Sequence, residues 1–236
     1  MHQIDKYGTV EFVGGTSEEM VDNTRPASKD ADDKPFSKVL KPTKDCETLI
    51  EKFTNNVNLL KEVILNLDEK TGGIMIDWIR RWANFLKSER TFNCKYLKIY
   101  KRREIIRVDF GVRNRNEEGG IHYAVVMDVN NNPNSPVLMV VPLTSLKDGK
   151  KAHPLEVEIP AGVIIDIDST GKNIANNHPC AAIVNQTTCI SKQVIMRPCK
   201  NRDPVLGMVS HETMAEIERK YAQQYLKSIA GYIPKQ

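Results

Sequence analysis

The residues best suited to chemistry in this chain fall between Arg103 and Ser145, in the stretch REIIRVDFGVRNRNEEGGIHYAVVMDVNNNPNSPVLMVVPLTS. A strand-like run following basic residues ends at Asp109. A polar loop carrying Glu117, Glu118, Gly119 and Gly120 comes next, and His122 opens an apolar run. After a turn rich in Asn and Pro, a second apolar run ends in Leu143–Thr144–Ser145. Histidine, with an ordinary pKa of about 6.5, can take or give a proton near neutrality. A positioned acid or base is worth roughly 10² to 10⁴ in rate. A hydroxyl at a strand end, as on Thr144 or Ser145, can donate a hydrogen bond to an oxygen that gains charge. Arg113 and Arg115 are fixed cations able to hold an oxyanion with two parallel hydrogen bonds. Adjacent loop glycines let backbone amides approach a ligand, or simply turn the chain. Glu117 either orients His122 or is solvated.

No metal or other cofactor is expected. His178 and Cys180 lie close in sequence, but no two further ligands stand at suitable spacing. The five cysteines (Cys46, Cys94, Cys180, Cys189, Cys199) form no C-x-x-C pair, and their odd number at wide spacing argues against a disulfide framework. Reduced, structural thiols are the expectation.

Two kinds of texture surround this stretch. Residues 1–45 are polar, charged and without periodicity and are expected to form a flexible arm, with one strand-like piece at Thr9–Val13. Between Glu47 and Leu67 the apolar positions Ile50, Phe53, Val57, Leu60, Ile64 and Leu67 recur at 3-4-3-4 spacing, which predicts a helix with a narrow seam. Gly72–Gly73 is expected to break it. A second helix comes next over Ile76–Glu89, with Trp78, Trp82, Phe85 and Leu86 on one face, and the pair is expected to form a hairpin in which each helix buries the other's stripe. This helical extension covers residues 46–99.

Over residues 100–236 the period shortens. Strands are expected at Glu104–Phe110, Tyr123–Asp128, Pro136–Leu143, Leu155–Ile159, Ala181–Val184 and around Ile190, with turn-rich breaks including Asp168–Asn177. Several short strands with polar connections indicate an antiparallel barrel or strongly curled sheet. Ser210 is expected to cap a last helix whose apolar face, Met214, Ile217, Tyr221 and Tyr225, closes one end. The fold class is therefore α+β.

Residues 1–99 carry 16 Lys+Arg and 16 Asp+Glu, residues 100–236 carry 18 and 14, so the whole excess of +4 lies in the second part. That suits a polyanionic substrate there but is too mild to require one. No run approaches the roughly 18 apolar residues of a membrane helix, and the N-terminus lacks the apolar segment of a secretory signal. A cytoplasmic protein with no membrane partner is expected.

The order of these features resembles the MazF/PemK toxin family. In that family a strand leads into a loop of the type G-S-E-x-G-G, then a basic residue with an apolar strand, then a strand ending in Thr-Ser or Thr-Ala. LEVEI at Leu155–Ile159, CAAIVNQTTCISKQ at Cys180–Gln193 and VLGMVSHETMAEIERKY at Val205–Tyr221 are similar to its later segments, in family order. The resemblance implies a small SH3-like β-barrel with a C-terminal capping helix, usually a homodimer. It also implies a metal-independent endoribonuclease that cuts single-stranded RNA to 2′,3′-cyclic phosphate and 5′-hydroxyl ends and is blocked by a cognate antitoxin. Thr144 then matches the family's catalytic threonine, with Ser145 beside it. His122 stands where the family pattern has an arginine, so proton transfer would fall to His122 and charge stabilisation to other cations. Arg113, Arg115, Asn116, Glu117, Gly119, Gly120, Lys147 and Gln186 become candidate RNA contacts. Two other readings stay open: a catalytically degenerate barrel that binds RNA or a protein as a regulatory module, and a self-assembling structural protein driven by the helices.

Overall fold

A computed structural model of the chain describes residues 42–113, 116–146, 149–167 and 172–226. The expected arm, up to residue 41 and including Thr9–Val13, lies outside them, as do Arg115 and Lys147. The chain divides into two compact units, Met1–Phe53 and Thr54–Gln236, and the second carries the sheet and every candidate site residue. Its elements are the remainder of α1 (Glu47–Leu65), α2 (Glu69–Glu89), β1 (Ile105–Asp109), β2 (Ile121–Val126), β3 (Val137–Ser145), β4 (Glu156–Ile159), β5 (Ile165–Ile167), β6 (Asn173–Ala175), β7 (Cys180–Ile183), β8 (Thr188–Ser191), β9 (Ile195–Arg197) and α3 (His211–Tyr225).

The break between the first two helices is not at Gly72–Gly73, which lie inside α2. Asp68 decides it. Its carboxylate accepts from the Thr71 amide at 3.0 Å and satisfies one of the donors orphaned at a helix start. A glycine in a helix costs only about 1 kcal/mol relative to alanine, less than such a cap and the packing beyond it can offset. Nor do the helices bury each other's stripes. Val57, Leu60 and Leu67 are exposed and Ile64 alone is buried in α1, while Trp82 and Leu86 of α2 remain about half exposed. α2 turns instead toward the sheet. Arg81 Nε donates to the buried Asp109 carboxylate at the end of β1 at 2.6 Å, and Gln193 Nε2 donates to the Phe85 carbonyl at 2.8 Å.

The main sheet is antiparallel and runs β4-β7-β3-β2-β1-β9, with β8 also paired to β3; β5 and β6 form a separate pair. Its path does not close: among the described residues the end strands β4 and β9 are not paired to each other. An antiparallel sheet with α3 packed on one of its cores is thus present, and among the described residues hydrogen-bonded closure of a barrel is not.

Both faces of the sheet are buried. One core gathers Ile105, Val125, Val141 and Leu143 with Met214 and Ile217 of α3; the other gathers Tyr100, Ile106, Val108, Ala124, Val126 and Val140. This explains why β2 and β3 read as nearly continuous apolar runs rather than alternations. Each such fully buried Val, Ile or Leu contributes roughly 1.5–3 kcal/mol. Ser210 caps α3 as expected, accepting from the Thr213 amide at 3.0 Å, and Tyr225 reaches the Asn185 carbonyl at 2.9 Å. β5, β6 and β9 have no counterpart among the expected strands, and β6 falls in the expected break at Asp168–Asn177. Each is three residues long, too short for a period to register. No helix among the described residues is long and apolar enough to cross a membrane.

Candidate functional site

The hairpin between β1 and β2 is closed by two backbone bonds, Phe110 N–H to the Gly120 carbonyl at 2.8 Å and Gly120 N–H to the Gly111 carbonyl at 2.6 Å. Gly111 and Gly120 have φ of 73° and 84°, the left-handed region that glycine enters without penalty. At Gly111 space is a second reason. A Cβ there would stand 2.7 Å from the Trp78 indole nitrogen of α2. The far end of the loop is held by Gln186, whose side-chain oxygen accepts from the Glu118 amide and whose Nε2 donates to the Asn116 carbonyl at 3.2 Å. Gln186 and Asn116 therefore fix the shape of the loop.

This shape brings Glu118 back over His122. The carboxylate stands 2.9 Å from Nδ1 of the imidazole. Hydrogen bonding to Glu118 raises the His122 pKa above its ordinary value, the carboxylate charge and the nearby carbonyls of Leu143 and Gly119 act in the same sense, and partial burial opposes them. Glu117 does not orient the histidine; it lies 3.6 Å from Arg113. Arg113 also donates from Nε to the Phe110 carbonyl at 3.3 Å, and its guanidinium sits over the Phe110 ring, 5.8 Å from the centroid.

β2 and β3 pair with Ala124 opposite Pro142 and Val125 opposite Val141. The ladder ends at the first of these pairs, and Thr144 pairs instead with Ala181 of β7. Alternation along each strand then puts both side chains on the face of Ala124 and Val140. Ser145, paired with Cys180, falls on the other face with Leu143. The structure thus brings His122, Glu118 and Thr144 to one side of the sheet and separates Ser145 from them. Tyr123 also turns to the opposite face, where its hydroxyl donates to Asp166 at 2.7 Å. The first cause is burial, and with that bond it pushes the phenol up to about 12.

A cleft of about 510 Å³ opens between the hairpin and α2. Gly119, Gly120, His122 and Arg113 line it from the sheet side; Trp78 and Arg81 line it from α2. Thr144, Ser145 and Gln186 are not in its lining. Sequence reasoning missed Glu118 in favour of Glu117, because nothing in NEEGG tells which carboxylate the glycine turn folds back. It also missed Trp78 and Arg81 as parts of the site, since their spacing signals only a helix face. Among the described residues no group of three or more His, Cys, Asp or Glu side chains could hold a metal ion.

The profile of the family described as PemK-like, MazF-like toxin of type II toxin–antitoxin system matches residues 101–225. Among solved structures, MazF from Deinococcus radiodurans is similar at 16% identity, covering 54% of this chain and 96% of that one, with a TM-score of 0.39. An endoribonuclease from a mycobacterial species is similar at 13% identity, covering 60% and 99%, with a TM-score of 0.34. The toxin MazF-mt6 of Mycobacterium tuberculosis is similar at 12% identity, covering 52% and 96%, with a TM-score of 0.36. Likeness at this level bears on neither substrate nor partner. No curated protein matches.

Proposed function

Because this chain belongs to the family of PemK-like, MazF-like toxins of type II toxin–antitoxin systems, whose profile spans more than half of it, we propose that it is an endoribonuclease toxin cutting single-stranded RNA without a metal. The 2′-hydroxyl attacks the adjacent phosphorus and loses its proton to solvent. The bond from phosphorus to the 5′-oxygen breaks, and that oxygen takes a proton from His122. The products are a 2′,3′-cyclic phosphate and a 5′-hydroxyl.

One observation carries this reading: an imidazole paired with a carboxylate at 2.9 Å stands at an open cleft, on the sheet face it shares with a strand-end threonine. Glu118 fixes the ring and favours imidazolium, the form that can donate. Thr144 donates to a non-bridging phosphoryl oxygen, holding the scissile group in line. Arg113, Arg115 and Lys147 contact phosphates and supply the charge stabilisation that an arginine at position 122 would have given. Gly119 and Gly120 allow close approach of the strand, while Asn116, Glu117 and Gln186 shape the loop beside it. Ser145, on the other face, serves the sheet rather than the reaction. The cognate antitoxin and a second copy of the chain are its proposed protein partners.

The test uses the purified full chain and a long single-stranded RNA in EDTA. Cleavage is expected, with His122→Ala slower by roughly 10² to 10⁴ and Thr144→Ala also impaired while Ser145→Ala is not. Binding without cleavage by the wild type would assign the chain to the regulatory reading, which the histidine at the family's arginine position favours.

A further inference from the structure

α2 lies outside residues 101–225, yet it forms one side of the cleft that holds His122. We infer that α2 completes the RNA site and that Trp78 is the surface on which a nucleobase stacks, an assignment that rests on the function proposed above.

The helix is fixed where it would have to be. Trp78 sits against the bare α-carbon of Gly111, where any Cβ would come within 2.7 Å of the indole nitrogen. One turn on, Arg81 is bound to Asp109, whose side chain is 1% exposed, so removing either partner strands a buried charge or loses the anchor. Two turns on, Gln193 holds the helix through the Phe85 carbonyl at 2.8 Å and the Ser88 hydroxyl at 3.0 Å. A wall on three such anchors is preorganised.

Its surface suits a nucleotide. Trp82 stacks on Trp78 with ring centroids 5.6 Å apart and planes within 5°, and Trp78 but not Trp82 lines the cleft. Two parallel indoles give a stiff platform with one member available to the ligand. Ile74, Met75, Val112 and Ile121 make the surroundings apolar, and the guanidiniums of Arg81 and Arg113 stand at the same cleft. Arg81 spends Nε on Asp109, and its terminal amino groups carry the remaining donors of the fork. The one carboxylate on the α2 lining, Asp77, is paired with Arg80 at 3.2 Å. An aromatic face bordered by cations is how proteins hold the bases of single strands, and stacking tolerates any base because every base has a π-face. A helix merely packed on the sheet would have no need of a partly exposed indole at the mouth of the reactive cleft.

The chain contains two tryptophans, Trp78 and Trp82, so Trp82→Phe leaves Trp78 as the sole indole reporter. The probe is a 2′-O-methylated single strand copying the sequence around a cleavage site mapped in the EDTA digest; lacking a 2′-hydroxyl, it binds uncut. Titrating it into the Trp82→Phe protein is expected to quench the fluorescence, and Trp78→Phe to retain affinity within a few-fold. Trp78→Leu keeps apolar bulk but loses the π-face, and is expected to weaken binding about 5- to 150-fold, the range of one lost stack. The loss should appear in KM more than in kcat. Tight binding without quenching, or Trp78→Leu binding like wild type or cleaving faster, would overturn the inference while leaving the nuclease intact; α2 would then be packing or a shield. Absence of any cleavage by the wild type would instead remove the proposed function, and this inference with it.

Discussion

At the scale of single residues, the proposed chemistry rests on the pair formed by His122 and Glu118. Glu118 raises the imidazole pKa above the ordinary value of about 6.5. An NMR titration should therefore find the His122 inflection above that value, and Glu118→Gln should bring it down. An inflection unmoved by that substitution would mean that the 2.9 Å contact is not the cause. The linkage has a definite sign. A group whose folded pKa is raised stabilises the native hairpin fully below the unfolded value and ceases to do so as pH rises through the folded one. Part of the candidate site is legible in the sequence at this scale. His122 and Thr144 stand out because few side chains trade protons or donate at strand ends, and alternation along β2 and β3 sets them on one face. Ser145 was equally plausible by type, and only alternation along β3 separates it from Thr144. Glu118 was not legible, because which of two adjacent carboxylates reaches the ring depends on the positive φ of Gly120, a torsion that composition does not specify.

Elements divide in a similar way. The strands of the main sheet other than β9 are readable because burial on both faces produces long apolar runs, and α3 because Ser210 and its apolar face agree. Ser210→Ala should cost about 1 kcal/mol in urea unfolding, the usual loss of an N-cap. α2 starts earlier than its glycines suggest, because the Asp68 cap three residues before Thr71 is a stronger signal than a glycine inside a helix. The turn toward the sheet was unreadable for a different reason: Arg81 and Asp109 are 28 residues apart, and no local pattern links them. Gly111 joins the two elements. Gly111→Ala forces a side chain into the left-handed region and against Trp78, and should destabilise by at least about 1–2 kcal/mol. A variant as stable as wild type would show that the hairpin and α2 are not in firm contact.

For the whole molecule, a sheet with two cores carries the hairpin of His122 and Glu118, and a helix from outside the family's matched residues walls the cleft beside it. The resemblance supplied the family, but the closed barrel it implies is not seen: among the described residues the hydrogen-bonded path stays open between β4 and β9. Closure depends on strand ends and register over long sequence distances, which short motifs do not encode. The proposed dimer should give twice the chain mass of 26.7 kDa by light scattering, and a single-chain mass would contradict it. RNA affinity should fall steeply with salt if several cations meet phosphates.

The most direct test is the pH dependence of single-turnover RNA cleavage in EDTA. With His122 donating a proton to the leaving oxygen, the rate should fall as pH rises through an inflection above about 6.5, and Glu118→Gln should shift that inflection to lower pH. A rate that does not change between about pH 5 and 9, or an inflection that persists in His122→Ala, would show that another group moves the proton.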